Sequence, residues 1–287
     1  MKLRIKQRAL NRSWGGDVFI NTMLLIFGLI MVLPMIYAVL SAFKPLDEFF
    51  VFPPRFFVRN PTVQNFSELF RQFSNSRVPL SRYIFNTFFV AVLGTAGQVV
   101  FASMCAYAIS KLRFPGKEIM FKIVVMALMF NTTVTSITNF MVVKTLGLLD
   151  NYMAIVLPTF CSALGLYLMK QFIDQMVPDT LIEAARIDGS GEFRTFFRIV
   201  MPAVKPAWLT LIVFAFQGLW NTGASPFIYK EELKSVNYAL SQILAGGVVR
   251  SGVAAAGTFL TMLVPIVIFV FAQANIVETM ATSGMKE

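Results

Sequence analysis

The sequence has no histidine, two cysteines and few charges: Asp, Glu, Lys and Arg make up 14% of its 287 residues, against roughly a quarter in soluble globular domains. Without histidine it lacks the commonest metal ligand and the usual acid–base group near neutral pH. Cys105 and Cys161 both sit inside apolar runs, where they act as small apolar residues, and no disulfide framework is implied. No glycine-rich stretch ends in Gly-Lys-Ser or Gly-Lys-Thr, so the chain has no phosphate loop of its own.

What the sequence has is hydrocarbon. It is 56% hydrophobic with a mean hydropathy of +0.68, and charge is absent from six runs: 18–43, 84–110, 123–143, 151–169, 206–229 and 251–277. A helix needs roughly 20 residues to cross the hydrocarbon core, so six crossings are expected. The polar segments between the runs are too small to cover six such helices in water. With no ionisable residue inside any run, the mid-membrane relay common in ion-coupled carriers is missing. Nor do nucleophiles, acids or metal ligands converge as a membrane enzyme requires.

The 25 basic residues against 15 acidic give a net charge of +10. Lys2, Arg4, Lys6, Arg8 and Arg12, then Lys111, Arg113, Lys117 and Lys122, then Arg186, Arg194, Arg198 and Lys205 all fall on one side of a six-span layout that starts in the cytoplasm. Orientation in the membrane accounts for the charge, and nucleic acid is not an expected partner. The expected organisation is a basic cytoplasmic N-terminus at 1–17 and one membrane domain at 18–277, with both termini cytoplasmic. That domain includes an external loop at 44–83 and a cytoplasmic segment at 172–205, and a tail follows at 278–287. Within the loop, 62–73 predicts an amphipathic helix with Val63, Phe66, Leu69, Phe70 and Phe73 on one face. Pro34, Pro158, Pro226 and Pro265 are candidate kinks.

Two stretches are out of character for such a chain. "FNTTVTSITNF", residues 130–140, places seven Asn, Ser and Thr residues in the third run, suited either to interhelical hydrogen bonds or to a polar path. "EAARIDGSGEFRTFFRIVMPAVKP", residues 183–206, carries seven charges between two apolar runs. Thr180 and Glu183 have the spacing of a capping box, and Gly189 follows Asp188 as a helix stop. Ser190 then caps a second helix that aligns Phe193, Phe196, Phe197 and Val200, closed by Pro202. The expectation is two short helices meeting at a glycine elbow along the membrane surface, with small residues beside a fixed carboxylate as a docking surface needs.

The same segment resembles the EAA signature of the membrane subunits of ATP-binding-cassette importers. "SAFKPLDEFF", "RYIFNT", "AYAISKLRFPG", "LGLLDNYMAIVLP", "QFIDQMVP" and "GLWNTGASPF" extend the resemblance over nearly the whole chain, in order, to the six-span maltose-type permease of the carbohydrate-uptake branch. "FNTTVT" stands where many relatives have Met-Ile-Pro, and Glu278 departs from the usual tail. The resemblance implies an all-α polytopic membrane protein of the type I importer fold. It implies a heterodimer with a second permease subunit, two cytoplasmic ATPase subunits that hold ATP and Mg, and an external sugar-binding protein. The chain itself would bind no cofactor and hydrolyse nothing. Glu183, Ala184, Ala185, Asp188 and Gly189 would form the coupling helix. Asn131, Thr132, Thr135, Asn139, Trp220 and Asn221 are the expected path residues, since sugar handling favours amides beside aromatic faces; packing is the competing role for Trp220. An ATPase-independent carrier or facilitator is the alternative reading.

Overall fold

The computed structural model describes residues 14–74, 76–130 and 132–283, and every regular element among them is helical. In hydrocarbon no water satisfies backbone N–H and C=O groups, and a helix satisfies them within itself. In chain order the elements are α1 (Trp14–Ala42), α2 (Leu46–Phe49), α3 (Gln64–Ser74), α4 (Leu80–Lys111), α5 (Lys117–Ala127), α6 (Thr132–Thr145), α7 (Met153–Phe160), α8 (Ala163–Met176) and α9 (Asp179–Ile187). After α10 (Glu192–Thr195), a π turn (Phe196–Val200) and α11 (Met201–Ala203) come α12 (Lys205–Trp220), α13 (Val236–Leu244) and α14 (Ser251–Ser283).

Among the described residues, four helical stretches are long and apolar enough to cross a membrane: Gly15–Ala42, Leu80–Lys111, Met153–Met176 and Val248–Gln273. Glu192–Ala203 and Lys205–Trp220 form a fifth if the pair, bent by 83°, is one span. The third expected span is not continuous. α5 and α6 have 11 and 14 residues, about 16 and 21 Å at 1.5 Å per residue, each short of the roughly 30 Å core. The division falls where the Asn- and Thr-rich run begins, whose side chains compete with the helix for backbone groups. The fourth run also breaks, just beyond Pro158, between Phe160 and Ala163. Cys161 leaves helical geometry, and Ser162 caps α8 by accepting from the Gly165 N–H at 3.0 Å. α1 and α14 continue through Pro34 and Pro265, whereas Pro226 lies beyond α12 in a loop.

The chain divides into two compact units. The first holds the described residues up to Leu69 and Gly247–Phe259. Here α1 exposes apolar side chains all round, from Val18 to Tyr37, a surface that suits lipid. The segment after it is tied by polar groups: Asn65 donates to the carbonyls of Ala42 and Lys44 at 2.9 and 2.8 Å, and buried Glu48 accepts from the N–H groups of Arg59 and Asn60. Along the predicted amphipathic helix, Leu69 and Phe73 are buried, but Val63 and Phe70 are exposed.

In the second unit α4 is the element on which α7, α8, α12 and α13 pack. Its buried stripe is rich in small residues: Ala91, Gly94, Thr95, Ala102, Ser103 and Ala106. Apolar surface gains little by leaving lipid for protein, so close van der Waals approach must hold the helices together. A Cβ at Gly94 would lie 2.6 Å from Leu219 Cδ1, and one at Gly97 would meet the ring of Phe160, itself stacked on Phe101 at 5.1 Å. Gly97→Ala must therefore displace an aromatic ring, at about 1–3 kcal/mol by the usual cost of overpacking. Heating the purified chain in detergent should show a lowered unfolding midpoint for Gly97→Ala and no lowering for Gly28→Ala, whose site in the interior of α1 has nothing within 4 Å.

Candidate functional site

The charged segment folds as a short helix with a defined stop. Val177 and Pro178 are extended, α9 follows, and Asp188 caps it. Gly189 adopts φ +75°, its N–H donates to the Arg186 carbonyl at 3.0 Å, and the Ser190 N–H donates to the Ala185 carbonyl at 2.9 Å. Those two bonds are a Schellman motif, which favours glycine at this position. The expected capping box is absent. The N-cap is Pro178, Thr180 is already the second helical residue, and no side chain caps the helix. The start moves because Asp179 takes the first helical position, where its carboxylate accepts from Lys111 Nζ at 2.7 Å.

Two faces of α9 differ. Ile182 and Ala185 are buried with Tyr107, Ile173, Val177, Phe196 and Val200. Thr180, Glu183, Ala184 and Ile187, spaced i, i+3, i+4 and i+7, are exposed. Of the two signature alanines only Ala185 packs inward, while Ala184 lies beside Glu183. Among the described residues, no group forms a hydrogen bond or ion pair with Glu183. Asp188 and Gly189 are exposed at the elbow. The expected phenylalanine face also divides. Phe193 stands on α10 and is 71% exposed; in the π turn that follows, Phe196 and Val200 are inside while Phe197 is 54% exposed.

The expected path residues are not gathered in one place. Asn131 lies outside the described residues, and Thr132 is the first residue of α6. Thr135 and Asn139 are exposed on that helix. Trp220 is 3% exposed, stacks on Phe216 at 5.6 Å and donates its indole N–H to the Thr261 carbonyl at 3.0 Å. Its side chain thus packs within this chain. Asn221 is exposed as the C-cap of α12.

At the opposite end of α4 from α9 the structure forms a largely apolar cavity of about 170 Å3, lined by Val90, Ile155 and Leu219 together with polar groups that include Asn86, Thr87, Lys234 and Tyr238. Asn86, 1% exposed, donates to the carbonyls of Glu232 and Lys234 at 2.8 and 3.0 Å and accepts from the Tyr152 hydroxyl at 2.7 Å. Glu231 accepts from Tyr83 and Lys234 at 2.8 and 2.6 Å, and Lys234 also donates to the Tyr238 hydroxyl at 2.8 Å. On the adjoining loop, Asp150 accepts from the N–H groups of Tyr229 and Lys230 at 2.6 and 2.9 Å, which hold its pKa below the usual range. In sequence this stretch reads as a loop between two spans; its one local signal is the Asn86-Thr87 pair inside an apolar run.

Residues 98–281 match the family described as the binding-protein-dependent transport system inner membrane component. The chain belongs to that family. The polygalacturonan/rhamnogalacturonan transport system permease protein YtcP of Bacillus subtilis is 34% identical over 213 residues, covering 74% of this chain and 72% of the relative. An sn-glycerol-3-phosphate transport system permease protein, UgpE, of Yersinia pestis is 31% identical over 267 residues, 90% of this chain and 94% of the relative. In fold the chain is similar to a bacterial ABC transporter involved in the import of the acidic polysaccharide alginate, with a TM-score of 0.76 at 22% identity over 92% of this chain and 98% of that one. This inner membrane component is thus a multi-pass permease subunit of the carbohydrate-importer class that its sequence resembles.

The Glu231–Lys234 pair beside this cavity of the permease sets an expected pH response. Burial works against the Glu231 charge, yet the bonds from Lys234 and Tyr83 hold its pKa below the ordinary value. Burial also opposes the Lys234 charge, yet Glu231 and Tyr238 hold its pKa above the ordinary value. The lowered carboxylate contributes stability above an unfolded pKa of about 4.3 and loses it as pH falls through its folded value; the raised ammonium contributes below about 10.4 and loses it as pH rises through its own. Protection across 225–238, from hydrogen-exchange rates corrected for their intrinsic pH dependence, should be flat through neutral pH and fall below about pH 4.3, with the acid limb diminished in Glu231→Gln.

Proposed function

We propose that this chain is one of two permease subunits in an ATP-driven importer, and that α9 is the helix through which cytoplasmic ATPase subunits act on it. The observation that carries the reading is Glu183, a carboxylate without a partner among the described residues. It stands on the exposed stripe Thr180–Glu183–Ala184–Ile187 of a short helix whose other face is buried in the bundle. Such a helix offers a cleft one charge, a small residue for close approach and an apolar end at Ile187, which is 87% exposed.

In this reading the α9 end of α4 is cytoplasmic and the cavity end is external, in line with Lys111, Arg113, Lys117 and Lys122 at the α9 end. The six apolar regions make six crossings, α5 and α6 together supplying the third, and both termini are cytoplasmic. ATP and Mg belong to the ATPase subunits. Their closure displaces α9 and turns the bundle from inward-open to outward-open as an external binding protein releases its ligand. Thr132, Thr135, Asn139 and Asn221, with Asn131 outside the described residues, are the path groups proposed for this chain. The substrate we propose is an anionic carbohydrate or sugar derivative. Polygalacturonan and sn-glycerol-3-phosphate, in the names of two relatives, both carry negative charge.

The complex reconstituted in liposomes with its second permease, ATPase and binding protein tests this. Losing a charge-assisted contact, Glu183→Ala should weaken retention of the ATPase about tenfold or more, and ATP-driven uptake should fall with it. Undiminished ATP-driven uptake would remove Glu183 from the joint, and uptake by the wild-type chain without ATP would favour a carrier or facilitator.

A further inference from the structure

α9 is joined to α8 only by two extended residues, Val177 (ψ 98°) and Pro178 (ψ 145°). A force applied at Glu183 can swing α9 about that joint without moving the bundle unless something else holds the helix. Two polar links do so, and both end on α4. At the first residue of α9, Asp179 accepts from Lys111, whose side chain is only 7% exposed although that of Asp179 is 79% exposed. Near the last turn, the Arg186 guanidinium donates through Nε to Glu192 Oε1 at 3.0 Å, with a second nitrogen at 3.0 Å from the same oxygen. The other oxygen, Glu192 Oε2, accepts from the Tyr107 hydroxyl at 2.5 Å.

These links share a register. Tyr107 and Lys111 are four residues apart on α4, and Asp179, Ile182 and Arg186 lie on one face of α9. Ile182 is 2% exposed between the two links, and Tyr107 is 4% exposed with its ring 5.7 Å from that of Phe196. The helix is thus pinned at both ends, with an apolar plug in the middle, to the last turns of the element on which the rest of the unit packs. Glu192 is the centre of the second link, since one carboxylate touches α9 through Arg186 and α4 through Tyr107.

Resting on the reading of α9 as the ATPase-facing helix, we infer that Glu192 is a positioning residue. It makes α9 and the end of α4 move as one body, so that displacement of the coupling helix becomes displacement of the transmembrane bundle. Lys111–Asp179 holds one end of α9, and without Glu192 only the packing of Ile182 and the elbow at Gly189 resist a swing of the other end about Val177–Pro178. Nucleotide-driven motion is then partly lost before it reaches α4. Motion lost in this way appears as ATP hydrolysed without substrate moved.

The measurement is substrate transported per ATP hydrolysed, in the complete complex in liposomes, for wild type, Glu192→Ala, Tyr107→Phe and the double variant. Glu192→Ala should lower the ratio about fivefold or more, as expected for losing hydrogen bonds to a charged group. Tyr107→Phe should lower it less, and the double variant should be no worse than Glu192→Ala alone, because the hydroxyl acts through that carboxylate. Ratios equal to wild type in both single variants, or a Tyr107→Phe effect of the same size with and without Glu192, would overturn the inference. Where Glu192→Ala fails to assemble, Tyr107→Phe, which removes a single oxygen, decides by the same ratio. A wild-type complex that moves substrate without ATP would instead overturn the importer reading on which the inference stands.

Discussion

The structure depends on how closely helices can approach α4. In lipid, apolar surface alone does not draw helices together, and close packing must supply the attraction. The small side chains from Ala91 to Ala106 allow it: Leu219 of α12 comes within van der Waals range of Gly94, and Phe160 of α7 lies over Gly97. Because α4 is 32 residues long, about 48 Å at 1.5 Å per residue, it also passes through the whole apolar layer. Its charged groups, Arg82 and Lys111, are confined to its ends; Asn86 and Thr87 meet the cavity, and Tyr107 and Lys111 meet the charged segment.

That separation gives the chemistry its layout. A charged group is costly in hydrocarbon and is kept where water or a partner is near. The carboxylates and cations of the second unit therefore gather in two groups. At one end Glu231, Lys234, Tyr83 and Tyr238 fix the loop over a cavity, and at the other Asp179, Glu192, Arg186 and Lys111 fix α9. A stiff helix between the two is what a device needs if motion at one end is to alter access at the other.

Much of this was legible in the sequence. Charge-free runs marked the apolar regions, and the Asp188-Gly189 pair marked the stop of α9, because only a few residues tolerate positive φ there. Other features were set by partners distant in sequence, which local patterns do not report. Asp179 begins α9 because Lys111 holds it, so the capping box at Thr180 does not form. From Phe196 on a π turn replaces the expected α-helix, and Phe193, Phe196, Phe197 and Val200 do not share one face. Trp220 lies in the core because its N–H finds Thr261, 41 residues on. The cavity is assembled from α4, α7 and the loops after α12, so no single stretch announces it, and the hydroxyl of Tyr107 gave no local sign of its link to Glu192.

The central claim is that α9 and α4 move together when the ATPase subunits close. Distance measurement between spin labels at Leu181, which lies off the docking stripe of α9, and Phe101, both exposed, in a background lacking Cys105 and Cys161, tests it in the assembled complex without nucleotide and with ATP trapped. One distance distribution in both states is expected, while labels across the two permease subunits change separation. A change in the Leu181–Phe101 distance on ATP binding would show that α9 swings by itself, and would contradict the claim.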